Sequence, residues 1–279
     1  MLKILRTRKA LQAWRKRELK RTLGFVPTMG ALHEGHLSLM RRSKKENALT
    51  LVSIFVNPTQ FGPKEDFRKY PRREREDLKL LRSLKVDAVF LPKSIREIYP
   101  EGESGTRIVP PASLTEILEG QFRPGHFTGV ATVVTKLLML SRPTRSYFGK
   151  KDFQQLQVIE ALANDLFLDV EIVPCETKRA PSGLALSSRN QYLDPEARTR
   201  AASLSAILKS AGTETAAKRE LKKAGFQVQY VAKWRGRRLA AAYFQGVRLI
   251  DNVARFAQHE LARRGGKIKF GKKTSRRKS

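Results

Sequence analysis

Along this chain, apolar positions recur in two periods, and the switches between them mark its elements. Segments 23–26, 49–56, 86–91, 107–109, 146–148 and 170–173 read as strands. Between them the spacing turns helical over 34–46, 73–84, 129–140 and 152–167, the last with Leu156, Ile159, Leu162, Ala163 and Leu166 on one face. In Leu51-Val52-Ser53-Ile54-Phe55-Val56 both alternating faces are apolar, which suits a central parallel strand covered by helices on each side. The pattern predicts an α/β protein: a doubly wound, Rossmann-like parallel-sheet domain over residues 1–175. A smaller α+β lid domain over 176–264 follows, with room for one helix pair, a hairpin of 226–231 with 239–244, and a closing strand near Arg248-Leu249-Ile250-Asp251-Asn252. Residues 265–279 read as a flexible basic tail. The opening 21 residues hold Glu18 as their only acid and place Leu11 and Trp14 at helical spacing. They resemble a transit peptide in composition but read better as a first strand and helix, and they lack the apolar core of a secretory signal.

Composition narrows the class. With 279 residues and 41% hydrophobic positions the chain can bury a sizeable core, and no apolar run is long enough to span a bilayer. A single cysteine, Cys175, excludes an intrachain disulfide and fits a reducing, cytoplasmic setting. The charge is anomalous: 56 Lys and Arg against 26 Asp and Glu give +30. Such an excess favours anionic substrates and nonspecific polyanion binding, but the basic residues are scattered over nearly every predicted helix and form no recognised nucleic-acid motif.

The most informative polar string is Pro27-Thr28-Met29-Gly30-Ala31-Leu32-His33-Glu34-Gly35-His36. A strand, a glycine turn and a helix start put two histidines three residues apart, where free backbone N–H groups and the helix dipole favour anions. No Walker loop or dinucleotide glycine fingerprint is present, so the pair points to chemistry at an α-phosphate and not to γ-phosphoryl transfer. His126, His259 and Cys175 are too few to complete a zinc site, and no metal ligand set is assigned. Asn57 and Gln60 follow the second strand. Gly149, Lys150, Lys151 and Asp152, with Gln155 beyond them, follow the run ending at Phe148, and Lys151 is placed to reach a phosphate. These loops should meet beyond the carboxyl ends of the strands. Leu186, Ser187, Ser188 and Arg189 could wrap a polyphosphate, or could simply form a serine-rich cap before the Pro195 helix. His126, in Arg123-Pro124-Gly125-His126-Phe127, reads as a loop-packing residue.

Taken in order, these strings, together with Tyr70-Pro71-Arg72 and Gly183 to Asn190, resemble the pantothenate synthetase (pantoate–β-alanine ligase) family. The resemblance implies a dimeric enzyme that joins ATP, (R)-pantoate and β-alanine through a pantoyl-adenylate, with Mg²⁺, releasing AMP and pyrophosphate. It also implies a nucleotide domain like that of class I tRNA synthetases. By position, Met29 to His36, Gly149 to Asp152, Lys178 and Leu186 to Arg189 would bind ATP, and Gln60, Gln155 and Asn57 would hold pantoate. His36 would serve as acid/base, with His33, Lys151 and Arg189 completing the catalytic set. The chemistry is physically coherent: a carboxylate must be activated at phosphorus before an amine can displace it, and each well-placed donor there is worth roughly 3 kcal/mol. Lys150, Met139, Thr144 and Ser182 depart from the family pattern, each removing negative charge or polarity. Two other readings stay open: a relative that adenylates a different acceptor, and a weakly active descendant that binds polyanions.

Overall fold

A computed structural model describes residues 1–63 and 65–254; the predicted tail and its lysines lie outside the described residues. The chain opens with β1 (Lys3–Leu5) and α1 (Arg8–Arg17), then alternates through β2 (Leu23–Thr28), α2 (Glu34–Glu46), β3 (Leu49–Ile54), α3 (Glu74–Ser83) and β4 (Ala88–Phe90). Two single turns, α4 (Ala112–Thr115) and α5 (Glu119–Phe122), precede α6 (His126–Ser141), β5 (Arg145–Gly149), α7 (Phe153–Asp165) and β6 (Glu171–Cys175). The basic opening segment is therefore part of the fold, as expected: β1 pairs with β4, and Thr7 caps α1 by accepting from the Ala10 N–H at 3.1 Å.

Six parallel strands run in the order β1-β4-β3-β2-β5-β6. Strand periodicity explains why both faces are covered. Leu23, Phe25, Leu49 and Leu51 pack with Leu11, Trp14, Val130, Val134, Leu156 and Ile159 of α1, α6 and α7. Their neighbours Val26, Val52 and Ile54 pack with Leu37, Met40, Leu78 and Leu81 of α2 and α3. The strand order reverses between β2 and β5, whose register pairs Gly24 with Arg145 and Phe25 with Ser146. Loops leaving β2 and β5 must diverge there, which opens a crevice at their carboxyl ends.

The rest of the described chain forms α8 (Pro195–Ala201), α9 (Ser203–Ser210), α10 (Glu214–Lys223) and an antiparallel sheet of β7 (Gln227–Trp234), β8 (Arg237–Phe244) and β9 (Val247–Ala254). Arg235-Gly236 and Gln245-Gly246 close the two hairpins with positive φ at both turn residues (43° and 75°, 46° and 77°), the backbone twist that two-residue hairpins favour. Three helices stand where the sequence suggested a pair, because the Ala201–Ser203 junction breaks one helical pattern into α8 and α9.

Two sequence expectations fail. Segment 107–109 is not a strand: the Ile108 N–H donates to Thr132 Oγ1 at 2.9 Å, so α6 and not a sheet receives its backbone, and Val109 is exposed. Helix α6 begins at His126, three residues before the predicted start, because Gly125 takes a left-handed φ of 79° and turns the chain into the helix. No helix among the described residues is long and apolar enough to cross a membrane.

Candidate active site

Beyond the carboxyl ends of β2, β3 and β5 lies a cleft of about 250 Å³, lined by Met29, His33, His36, Asn57, Gln60, Gly149, Lys151, Asp152, Gln155, Lys178 and Leu186 to Arg189, among others. The loops expected to meet there do converge. Gly30, Ala31, Leu32, Glu34 and Lys150 do not line it, and the structure shows what they do instead.

Gly30 and Ala31 take φ of 82° and 50°, a double left-handed step that swings the chain from β2 into α2. The step is held by Asp77 on α3, a buried carboxylate that accepts the Ala31 N–H at 2.9 Å and the Leu32 N–H at 2.7 Å. Sequence reasoning missed Asp77, which looked like any acid in a first helical turn. Glu34 is exposed and pairs with Arg41 along α2.

The two histidines then form a reciprocal cap. His33 Nδ1 accepts the Gly35 N–H at 3.1 Å, and His36 Nδ1 accepts the His33 N–H at 3.4 Å. The rings pack against each other at a tilt of 40°, with centroids 4.1 Å apart. Gly35 is required: a Cβ there would lie 2.8 Å from His33 Cε1. With Nδ1 accepting in both rings, the neutral imidazoles carry their protons on Nε2. Burial, reinforced by Lys151, pushes His33 down to about 4; burial, His33 and Lys151 push His36 down to about 3. Both rings are thus neutral hydrogen-bond donors at neutral pH, with no lone pair left on Nδ1 to serve as a base.

Lys151 follows β5 and lies 3.5 Å from Asp152. Lys150 pairs with Glu176, which itself lines the cleft, so one departure from the family pattern supplies a salt bridge at the cleft's edge. At a second, Thr144 Oγ1 accepts the Leu23 N–H at 3.1 Å. Met139 is an exposed side chain on α6, and nothing in the structure explains its presence or that of Ser182.

Asn57 is saturated. Its Nδ2 donates to Gln60 Oε1 at 3.0 Å and Gly129 O at 3.2 Å, while Oδ1 accepts from Tyr99 at 2.9 Å and Thr59 at 3.1 Å. Its role is to hold Gln60, whose Nε2 then has no protein partner among the described residues. The loop sits tight against α6, where a Cβ on Gly129 would come within 2.2 Å of Thr59 O. Gln155 also offers an uncommitted amide. His126 is buried: Nδ1–H donates to Gln60 O at 2.9 Å, and Nε2 accepts from Arg123 at 2.9 Å. It packs the site as expected, but from a helix start and not from a loop.

Arg189 makes a bidentate pair with Asp66 at 2.9 and 2.6 Å and lies over the Tyr70 ring. Ser188 Oγ donates to Ala31 O at 3.1 Å, which ties this segment to the histidine loop. No group of three or more metal-ligating side chains occurs among the described residues. Asp152 and the more exposed Glu176, paired with Lys150, are carboxylates on the cleft, and Asp152 suits Mg²⁺ carried mainly by substrate phosphates and water.

Comparison with known proteins agrees with this geometry. The sequence profile of the pantoate–β-alanine ligase family matches residues 3–254. A Helicobacter pylori protein named pantothenate synthetase is 54% identical over 201 residues, covering 72% of this chain and 72% of its own. A Bdellovibrio bacteriovorus protein of the same name is 44% identical over 253 residues, covering 91% and 99%. Among solved structures, the Francisella tularensis pantoate–β-alanine ligase, crystallised with a β,γ-ATP compound and β-alanine, superposes with a TM-score of 0.86 at 41% identity, over 91% of this chain and 98% of that one.

Proposed function

The chain belongs to the pantoate–β-alanine ligase family, and on that footing we propose that it condenses (R)-pantoate with β-alanine to give pantothenate, using ATP and passing through a pantoyl-adenylate. The observation that carries this reading is the pair of neutral, Nε2-protonated imidazoles beside Lys151, in one cleft with the uncommitted amides of Gln60 and Gln155.

In the first step a pantoate carboxylate oxygen attacks the α-phosphorus, and the bond to the bridging oxygen breaks to release pyrophosphate. His33, His36 and Lys151 donate to the charge that grows on the phosphoryl oxygens, in a site that needs no proton transfer at that moment. Arg189, with Ser187 and Ser188, holds the departing pyrophosphate; Met29, Gly149, Lys178 and Leu186 shape the nucleotide pocket. Gln60 and Gln155 orient pantoate through its hydroxyl and carboxylate oxygens. In the second step the neutral amine of β-alanine attacks the acyl carbon, the acyl C–O bond breaks so that AMP leaves with its electron pair, and the surplus amine proton passes by way of the AMP phosphate to solvent; exclusion of bulk water from the cleft protects the adenylate beforehand. Mg²⁺, held by Asp152 with substrate phosphates, would neutralise polyphosphate charge.

The proposal extends to a homodimer in the cytoplasm, with a nucleotide- and pantoate-binding domain over 1–175 and a lid over 176–264, and to weak nonspecific polyanion binding from the +30 charge. Purified protein should release AMP only when ATP, pantoate and β-alanine are all present. It should also exchange pyrophosphate into ATP with pantoate alone. ADP as product, or an acceptor other than pantoate, overturns the reading; light scattering tests the dimer.

A further inference from the structure

Strand β9 sends three polar side chains out of its own sheet and into the cleft's supporting loops. Asn252, buried, donates through Nδ2 to the carbonyls of Lys150 at 2.9 Å and Lys151 at 2.8 Å, so both amide hydrogens are spent on the turn that carries Lys151. Its Oδ1 accepts from Arg237 Nε, which fixes the amide's orientation. The neighbouring Asp251 takes both terminal nitrogens of Arg179 at 2.6 and 2.9 Å, and Arg179 also reaches Gly183 O at 3.1 Å in the loop beyond Lys178. Arg248 makes two bonds to the buried Glu119 at 2.7 and 2.8 Å, and the Glu119 N–H donates to Gln154, the residue before Gln155.

Lys150–Asp152 form a single 3-10 turn that leads into α7, and the Asp152 side chain makes no cap bond there. The side chain that braces the carbonyls of this turn is Asn252, 101 residues from Lys151. A peptide unit freed to rotate would displace the Lys151 side chain, and misplacement of about 1 Å is enough to cost a large factor in rate.

We infer that Asn252 is a positioning residue for Lys151, through which the C-terminal sheet sets the geometry of the phosphate site. The inference rests on the ligase reading above for what the site does, but its test reads ATP binding as well as ligation. ATP affinity by calorimetry and AMP-forming kcat are measured for the wild type, Asn252→Ala, Lys151→Ala and the double variant. Asn252→Asp, which keeps the shape but sets a carboxylate against two carbonyls, serves where the alanine variant does not fold. Asn252→Ala is expected to weaken ATP binding and lower kcat about tenfold each, with melting temperature separating that loss from unfolding. In the Lys151→Ala background the same change should have no further effect, because the side chain it positions is gone. Full losses that add in the double variant, or an Asn252 variant with wild-type affinity and kcat, overturn the inference. Wild-type protein that binds ATP but forms no AMP overturns the ligase reading instead, and leaves the binding cycle to decide the role of Asn252.

Discussion

The two sides of the cleft hold their donors in opposite ways. The bonds that orient His33 and His36 come from residues two and three positions away, at the start of one helix. Lys151 sits on a turn held by Asn252, 101 residues distant, and Arg189 is held by Asp66, 123 residues distant. The histidine side is therefore assembled as soon as α2 forms against Asp77. The lysine–arginine side exists only when the C-terminal sheet and the 65–66 loop are docked. A locally built site tolerates change elsewhere in the fold, whereas a remotely held one transmits it.

The largest effects should come from removing the donors themselves. His36→Ala and Lys151→Ala should each lower kcat by on the order of a hundredfold, as loss of one transition-state donor does. Melting temperature should stay nearly unchanged in Lys151→Ala and fall modestly in His36→Ala, which gives up the cap bond to the His33 N–H. A loss below about fivefold for His36 would break the comparison, because it would show that the local pair does not face the reacting phosphate.

Gly35→Ala probes the same side without touching a donor. The new methyl group would press on the His33 ring at 2.8 Å and force the packed pair apart. About thirtyfold loss of kcat is expected from such a shift, with His33→Ala in the same background adding little. Wild-type activity in Gly35→Ala would mean that the ring geometry is not what the reaction needs.

On the other side, Asp66→Asn leaves Arg189 in place but removes its charged partner. Asp66 is half-buried; burial pushes its carboxyl up, but the hydrogen bond and charge of Arg189, with a backbone hydrogen bond and Arg123, together hold it below the usual range. The neutral amide should let the guanidinium wander and raise KM for ATP about tenfold, with kcat less affected. If affinity for ATP rises instead, the Asp66 pair competes with the nucleotide for Arg189 and the remote tether is inhibitory.

The same contrast decides what could be read from the sequence. The histidine pair, its glycine and the strand before it are adjacent in the chain, so their chemistry was visible as a string. The apolar run Leu51 to Val56, most of which forms β3, and the helical face of α7 likewise pointed to the parallel sheet, because burial writes itself into local periodicity. Asp77, Asp66 and Asn252 were not visible as partners: each acts across the fold, and a carboxylate or amide alone carries no mark of what it will meet. Asn57 showed the converse error. Its place after a strand suggested substrate contact, but only the folded contacts with Tyr99, Thr59 and Gly129 reveal that its hydrogen-bonding capacity is already used. Segment 107–109 failed for a related reason, since a short run such as Arg107-Ile108-Val109 does not say whether a strand or a helix side chain will receive its backbone.

Charge provides a smaller test that should leave both sides equal. Among the described residues most basic side chains lie on helices and strands outside the cleft, so the excess charge acts on encounter with anionic substrates and not on bonds formed in the site. Raising ionic strength from low to physiological, where screening acts beyond about 8 Å, should raise KM for ATP and pantoate several-fold with kcat unchanged. A fall in kcat would mean that salt reaches a working ion pair, with Arg189–Asp66 the first to examine.

The smallest expected effect is a null result, and it separates donor from base. In the free protein burial holds His33 down at about 4 and His36 at about 3, both below the ordinary imidazole value of 6.5. kcat/KM reports ionisations of the free enzyme, so its profile for ATP should carry no imidazole inflection from roughly pH 5.5 to 8. Stability should respond where activity does not. Because the folded-state values are depressed, the unfolded chain takes up protons first as pH falls below 6.5, and the folded state loses stability until the folded rings protonate in turn near 4 and 3. Thermal unfolding between pH 7 and roughly pH 4.5 should therefore show a falling midpoint, less steep in His36→Ala. An inflection in kcat/KM near pH 6.5 that disappears in His36→Ala would show the ring exchanging a proton during turnover. It would restore an acid/base role to His36 and remove the reason for treating the two histidines as fixed donors.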